Sequence, residues 1–542
     1  MSSLFTFFTA LVVSVALIPL MMRVAPRLGM VDQPDPRKVH TMPIPRVGGV
    51  GIVIGSLIPI ALWVPVDNSI LAYLFGAVVL LVFGLWDDSR ELGHYIKFIG
   101  QFIAVLAVVY YGDVYVKTLP FTEMEPLSPV IGKPFTVFAI VGMINAINHS
   151  DGLDGLAGGL SILSLSCIAY LAFLASDTTV VTIAFAILGG VLGFLRYNTH
   201  PAKVFMGDGG SQFLGFTLAF LAIVLTQNVN PALSPALPAL ILGLPIIDIL
   251  AVFGQRAYHG MNWFRATKNH IHHRLLEIGF HHYESVVIIY TIQTFFVVSA
   301  IMLCYESDML IMALYLAVCT LVFALLYLAL HNAWRVPRSH DSNSHSMVIA
   351  LKKSPILTKW PLGFVTLAIP SLFLITSITT KSVSQDLGIG AVALAGILLA
   401  SLIIRIDKGS FVFRAVAYVT SAFVVYLESN FMQGDLWFLN SIDVIYFVLL
   451  AIAIAIAVRL SDNVEFRTNP MDYLVIFIVL SAGVLMKNAP LQDNFGFMVV
   501  KLVILFYGCE LIITRAQSRL NPLTLLGLTT LLILGLRGII PE

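Results

Sequence analysis

Five polar clusters interrupt a long apolar chain, and their residue types suit phosphate and metal chemistry. The first runs from Asp32-Gln33-Pro34 through Arg37-Lys38-Val39-His40 to Pro45-Arg46-Val47-Gly48-Gly49. Its prolines stop a helix, and its glycine pair lets backbone approach closely. Arg37, Lys38 and His40 could bind phosphate; taken alone, a basic loop that sets membrane orientation is the plainer reading. The second is Asp87-Asp88, at the end of an apolar block. Adjacent carboxylates repel unless a cation or proton relieves them. One could take a proton from an acceptor while the other meets metal or substrate, and a solvated helix end explains the pair equally well. The third places Asn145, Asn148, Asp151 and Asp154 at every third position, among Gly152, Gly155, Gly158 and Gly159. If helical, that spacing makes successive side chains neighbours on one face. Amide and carboxylate oxygens suit Mg²⁺, which also keeps waters and substrate phosphate oxygens as ligands.

The fourth cluster is Phe205-Met206-Gly207-Asp208-Gly209-Gly210-Ser211. Asp208 is a hard oxygen ligand expected in a flexible loop, and Phe205 could stack on a base. The fifth is Asn269-His270-Ile271-His272-His273-Arg274. Histidines beside an arginine suit a diphosphate. Zinc is a poorer fit, because no cysteine or acidic fourth ligand lies nearby in sequence. Asp248 lies about two turns inside Arg256. It reads either as a functional group at a costly depth or as a buried partner of Arg256.

The elements that must position these clusters are membrane helices. The chain has 542 residues, of which 58% are hydrophobic and 11% charged, against about 25% charged in an ordinary soluble domain. Apolar blocks of bilayer-spanning length recur at 4–22, 46–65, 69–86, 95–111, 133–149, 156–175, 179–195, 211–227, 234–253, 286–304 and 309–330. The first block has no preceding basic residue and reads as a retained helix. The expectation is an all-α polytopic membrane protein with about eleven transmembrane helices in residues 1–330. A polar linker over 331–361 and about seven more helices in 362–542 follow. Those seven candidates include 472–486. The four cysteines sit inside apolar blocks without metal spacing, and read as small buried hydrophobes.

Basic residues mark cytoplasmic loops. With the N-terminus outside and loops alternating, Arg23, Arg27, Arg90, Arg196, Lys203, Arg256 and Arg274 fall inside, whereas the outside loops of the first eleven spans hold only Lys117 and Lys133. Lys97 lies at a boundary. This orientation puts all five polar clusters on the cytoplasmic side. A net charge of +1 carries no nucleic-acid signature.

Together, NAINHSDGLDGLAGG, FMGDGGSQFLGF, Asp87-Asp88 and HIHHRL resemble the polyprenyl-phosphate N-acetylhexosamine-1-phosphate transferase family. The opening DQPDPRKVHTMPIPRVGG is similar to the undecaprenyl-phosphate N-acetylglucosamine-1-phosphate transferase branch rather than the related phospho-N-acetylmuramoyl-pentapeptide transferase branch. The resemblance covers about residues 1–330. It implies a Mg²⁺-dependent enzyme (Mn²⁺ being an alternative ion) in the bacterial cytoplasmic membrane, with its site on the cytoplasmic face. A UDP-N-acetylhexosamine and undecaprenyl phosphate would give undecaprenyl-diphosphate-sugar and UMP, initiating a cell-envelope glycan such as a lipopolysaccharide O-antigen. By motif position it implies Asp208 and Asn148 as metal ligands, Asp87 as base and Asp88 as its support. It puts Asp151 and Asp154 at the nucleotide, Phe205 near uracil, and His272 and His273 at the diphosphate. Membrane lipid is the other expected partner, and a homodimer is left open.

Two features depart from the family. The stretch before the histidine motif is Phe264-Arg265-Ala266-Thr267-Lys268, where relatives often carry an acidic residue. Residues 331–542 exceed the usual length and carry no recognised motif; a partner-binding or structural helical module is the reading preferred there. A transporter would place its polar residues near mid-membrane, on broken helices. A catalytically dead relative would not keep all the carboxylates.

Overall fold

The computed structural model describes residues 2–34, 42–90, 92–122, 126–261, 269–336, 355–380, 382–404, 411–431, 437–459, 495–515 and 521–539. Arg37, Lys38 and His40, and the expected span 472–486, lie outside these residues. The chain folds as two compact units. Met1–Pro337 makes up nearly all of the first, and the second contains every described helix from Pro355 onward.

The first unit is a helical bundle: α1 Ser2–Val24, α2 Gly48–Trp63, α3 Asn68–Arg90, α4 His94–Leu106, α5 Pro129–Ser150, α6 Leu156–Leu174, α7 Thr178–Asn198, α8 Gly207–Val224, α9 Pro238–Ile241, α10 Gly243–Tyr258, α11 Ile271–Ile278, α12 His282–Met302 and α13 Asp308–His331. Short π-helical turns, Ala107–Tyr111 and Leu225–Val229, extend α4 and α8. The only sheet among the described residues is β1 Val31–Asp32 against β2 Ile44–Pro45. Helix starts follow ordinary capping chemistry. The Ser128 hydroxyl accepts the Val130 N–H ahead of α5, whose first residue is Pro129, and Asp177 accepts the Val180 N–H at α7.

Eleven helical stretches among the described residues are long and apolar enough to cross a bilayer; Trp360–Thr379 and Pro522–Ile539 are the two outside the first unit. The protein is therefore an all-helical, multi-pass membrane protein. Large apolar side chains such as Phe8, Phe75, Phe138, Leu321 and Leu325 face outward, as they should where lipid is the solvent. The stretch Gly207–Val229 is 94% buried across its apolar window, which makes α8 the central helix. It packs on α2, α3, α5 and α6.

The expected span 234–253 is not one helix. It is α9, a break at Leu242, then α10. Pro245 has no N–H to give the carbonyl four residues earlier, so Ile241 O is left to others. It accepts from the Ser164 hydroxyl and the Gln293 amide, both at 2.8 Å. Gln293 in turn accepts the Leu244 N–H at 3.1 Å, and Tyr315 donates to Gly243 O at 3.0 Å. Side chains from α6, α12 and α13 thus satisfy the backbone that the proline frees, as a low-dielectric setting requires.

Two glycine contacts draw the helix ends together. A Cβ on Gly84 of α3 would lie 2.2 Å from Gly209 Cα, and one on Gly49 of α2 would lie 2.3 Å from Gly210 N. Both glycines meet backbone, which cannot rotate away. Gly84→Ala should therefore push α3 off the first turn of α8 and destabilise the protein by about 1–3 kcal/mol. Gly142→Ala, where a Cβ meets nothing within 4 Å, should leave thermal stability in detergent unchanged or slightly raised.

Candidate active site

Asp208 lies in the first turn of α8 rather than in a flexible loop. Its Oδ2 is 2.7 Å from Lys97 Nζ, and the same ammonium is 2.7 Å from Asp87 Oδ2. The Asp87 and Asn148 side chains are electrostatic neighbours of Asp208. The second oxygen of Asp87 accepts the Leu92 N–H at 2.6 Å. Asp87 ends α3, Lys97 begins α4, Asn148 ends α5 and Asp208 begins α8, so four helix termini converge on one spot. Behind it runs a chain of amides: Gln212 reaches Asp208 at 3.4 Å, Gln101 reaches Gln212 at 3.2 Å, and Asn145 reaches Gln101 at 2.9 Å. The buried Gln101–Gln212 pair fixes the carboxylates from below.

Asp88 faces a different way. It accepts the Asp208 N–H at 3.1 Å, capping the start of α8 from α3. Free N–H groups at a helix start favour a negative charge. Gly207 has φ +74°, and a Cβ there would meet Asp88 Oδ2 at 2.5 Å; only glycine lets the cap close. The first cluster braces the same turn. Arg46 ion-pairs with the buried Asp32. Phe205 N–H donates to Pro45 O at 2.8 Å, and Gly48 N–H donates to Phe205 O at 2.9 Å.

The three-residue spacing of the third cluster does not continue as a helix. α5 ends at Ser150, and Asp151 to Gly155 form a turn with Gly155 at φ +81°. Asn145 and Asn148 therefore stay with the Asp208 group, while the two aspartates diverge. Asp151 is half-buried. Burial, then the Asp208 and Asp154 charges, push its carboxyl up to about 7. Asp154 turns away toward His200 Nδ1 at 2.7 Å and the Ala202 N–H at 3.1 Å, and its own N–H donates to His282 Nε2 at 2.9 Å. Burial opposes the Asp154 carboxylate, but the His200 hydrogen bond and the Ala202 N–H hold it below the usual range. Ligand atoms of Asp154, His200 and His282 lie within 4.8 Å of one another. The His282 Nε2 lone pair is already taken by a backbone N–H, so the group closes as a hydrogen-bonded clamp.

Asp248 turns out to serve the histidine motif. Its oxygens bind His270 Nδ1 and the Ile271 N–H, each at 2.8 Å, and so begin α11. The His149 and His270 rings stack at 5.2 Å, and the His272 and His273 rings lie 4.2 Å apart. His272 is buried; burial and then His273 lower it to about 3. Its Nε2 has no hydrogen-bond partner among the described residues. It lies where a Cβ on Gly152 would be, at 2.3 Å. The histidine motif thus packs on the Asp151 turn.

The structure therefore joins Asp87, Asp88, Asn148 and Asp208 directly, and links Asp151, His272 and His273 to them through one turn. It separates Asp154 from them. Lys97, Gln101, Gln212, His200 and His282 escaped sequence reasoning. Lys97 is a basic residue just inside an apolar span, and the two glutamines are amides within spans. Those were the available signals. For Asp151, the folded state holds the proton more tightly than the unfolded chain. Its stabilising effect is complete below the unfolded value near 3.8 and is lost as pH rises to about 7. Asp151→Asn should flatten the dependence of melting temperature on pH between about pH 4 and 7.

Comparison with known proteins gives this geometry a family. The sequence profile described as Glycosyl transferase family 4 matches residues 70–226, a stretch that holds Asp87, Lys97, Asn148 and Asp208. A probable undecaprenyl-phosphate N-acetylglucosaminyl 1-phosphate transferase of Bacillus subtilis (strain 168) is 36% identical over 302 residues, covering 55% of this chain and 84% of that protein. The undecaprenyl-phosphate alpha-N-acetylglucosaminyl 1-phosphate transferase of Escherichia coli (strain K12) is 30% identical over 325 residues, covering 58% and 88%. The protein of the same description from Haemophilus influenzae is 31% identical over 264 residues, covering 46% and 73%. On these grounds the chain belongs to the polyprenyl-phosphate N-acetylhexosamine-1-phosphate transferase family.

Proposed function

We propose that this protein transfers N-acetylhexosamine-1-phosphate from a UDP-sugar to undecaprenyl phosphate at the cytoplasmic face of the bacterial inner membrane. UMP is the other product. The observation that carries this reading is the Asp87–Lys97–Asp208 cluster at the ends of membrane helices. A lipid phosphate can reach it while its polyprenyl tail stays in the bilayer. The clustering of basic residues on the same side of the helices supports the cytoplasmic orientation.

The donor set fits Mg²⁺. Asp87 and Asp208 supply carboxylate oxygens and Asn148 an amide oxygen, the hard donors this ion takes. A cationic group, the Lys97 ammonium, already sits between the two carboxylates. Asp208 and Asn148 would hold the ion, which when bound supplies charge neutralisation to a diphosphate. Phosphoryl transfer asks the protein mainly for alignment and electrostatic stabilisation. Asp87, anchored by the Leu92 N–H, keeps Oδ2 aimed at the site to take a proton from the acceptor phosphate. Asp88 acts through the backbone, by fixing the α8 turn that carries Asp208. Lys97 offers positive charge to phosphate oxygens. His272, neutral and with Nε2 unengaged, can donate or accept toward the diphosphate, with His273 beside it. Phe205 is the candidate platform for the uracil base. Asp151 borders the nucleotide, and Asp154 shapes that border from its histidine clamp.

Incubation of the purified protein with undecaprenyl phosphate and each of several UDP-sugars, scored by UMP release, tests the reading and identifies the sugar. No UMP release with any of them overturns it. Chelation with EDTA should abolish turnover, and Mg²⁺ should restore it. Asp87→Asn should cut kcat by about 100-fold or more, while the KM for the UDP-sugar moves far less. Near-normal turnover in that variant removes Asp87 as the base.

A further inference from the structure

Among the described residues the second unit contains two charged clusters, and they differ in charge balance. Its described helices are Pro355–Thr379, Gln385–Ile403, Phe411–Phe431, Trp437–Arg459, Phe495–Arg515 and Pro522–Ile539. In the first cluster Arg414 grips Glu510 through Nε, at 3.0 and 2.9 Å to the two carboxylate oxygens, and through a terminal nitrogen at 2.8 Å. Tyr418 adds a hydrogen bond at 2.7 Å. One cation meets one anion, and both carboxylate oxygens are engaged.

The second cluster joins three helices. Lys501 Nζ lies 3.0 Å from Glu428 Oε1 and is also ion-paired with Asp443. The three side chains are only 9–12% exposed. Each sits within two turns of its helix end, inside an apolar stretch. The ammonium also lies 5.2 Å over the Phe447 ring. Here two carboxyls share one cation. The Glu428 and Asp443 carboxyls are neighbours across the one ammonium, and Glu428 Oε2 is buried with no partner among the described residues.

Two ionised carboxylates held on one ammonium repel each other, and a proton on either relieves the repulsion. A net negative charge in an apolar interior is costly, and no second cation is paired with either acid among the described residues. Tyr446, the titratable group that faces both acids, gives its hydroxyl to Ala368 O at 2.9 Å. Helix Pro355–Thr379 brings no charged side chain beyond Lys359 near its start, and Gln385–Ile403 none beyond Asp386 at its start. Arg537 of the last helix is bonded to the carbonyls of Ser377, Ile378 and Thr380. Arg414 and Glu510 hold each other.

We infer that Glu428, Asp443 and Lys501 form a proton-binding site of the C-terminal unit, in which one proton is shared between the two carboxyls while Lys501 balances the remaining charge. Ionisable groups at such positions in membrane helices commonly mark proton or ion pathways. The site gives this unit an acid–base capacity of its own, separate from the transferase residues.

Infrared difference spectroscopy of the full-length protein in lipid nanodiscs tests this at neutral pH. Subtracting the Glu428→Gln or the Asp443→Asn spectrum from that of wild type should leave a protonated carboxylic-acid carbonyl band, shifted in heavy water; the subtraction cancels the Asp151 carboxyl, which all three proteins keep. The balanced pair predicts that Glu510→Gln leaves the band in place. Either of the first two variants suffices if the other fails to fold, because each removes one of the two acids. Persistence of the full band in a folded Glu428→Gln or Asp443→Asn protein overturns the site. So does the alternative occupant, a monovalent metal ion: it would leave no such band in wild type, and it would make thermal stability rise with added Na⁺ in wild type but not in Glu428→Gln.

Discussion

Like charges packed at the start of α8 are the constraint on which the first unit depends. Asp87, Asp88 and Asp208 approach one another inside a membrane protein, and such an arrangement persists only if each carboxylate has its own compensation. The structure provides three. Lys97 bridges Asp87 and Asp208. Asp88 accepts the Asp208 N–H at the α8 terminus. Asn148 and the glutamine chain complete the shell of Asp208. This compensation requires four helix ends to meet closely, and that requirement explains the glycines at Gly49, Gly84, Gly207 and Gly210. Side chains at the contact would hold the helices apart and leave the carboxylates uncompensated.

The bilayer imposes the second condition: backbone groups must find partners within the protein. Most do so inside straight helices. Where Pro245 breaks that rule, Ser164, Gln293 and Tyr315 take over. The break is useful as well as tolerated. It starts α10 afresh at Gly243, and α10 carries Asp248, which holds His270 and the first N–H of α11. A bend deep in the bundle is thereby connected to the placement of the histidine motif beside the Asp151 turn.

The two units handle charge differently. In the first, the acids gather at helix ends around a reactive spot and a single lysine. In the second, one cluster is balanced and the other carries an excess acid. The relatives above match between 46% and 58% of the chain, so the catalytic half has counterparts in shorter proteins, and the second unit adds chemistry to that base.

Much of this was legible in the residue order. Apolar block length and basic-residue placement define a helical membrane protein, because the bilayer acts on each span locally and independently of its neighbours. The four motifs mark the family because Asp87, Asn148, Asp208 and the histidines each stand within a local run of residues that can be read in order. Other features depend on contacts between residues far apart in the chain. Periodicity suggested one face for Asn145, Asn148, Asp151 and Asp154, yet Gly152 and Gly155 turn the backbone and send Asp154 to His200 and His282. Asp248 reads equally well as a partner of Arg256, until α11 folds back and presents His270. Lys97 looks like a boundary residue, until α4 sets it between two carboxylates. Local propensity and hydrophobic pattern thus determined the helices and the candidate chemistry. Only tertiary packing decided which charges meet, because compensation of a buried carboxylate comes from whichever helix end lies within about 3 Å of it.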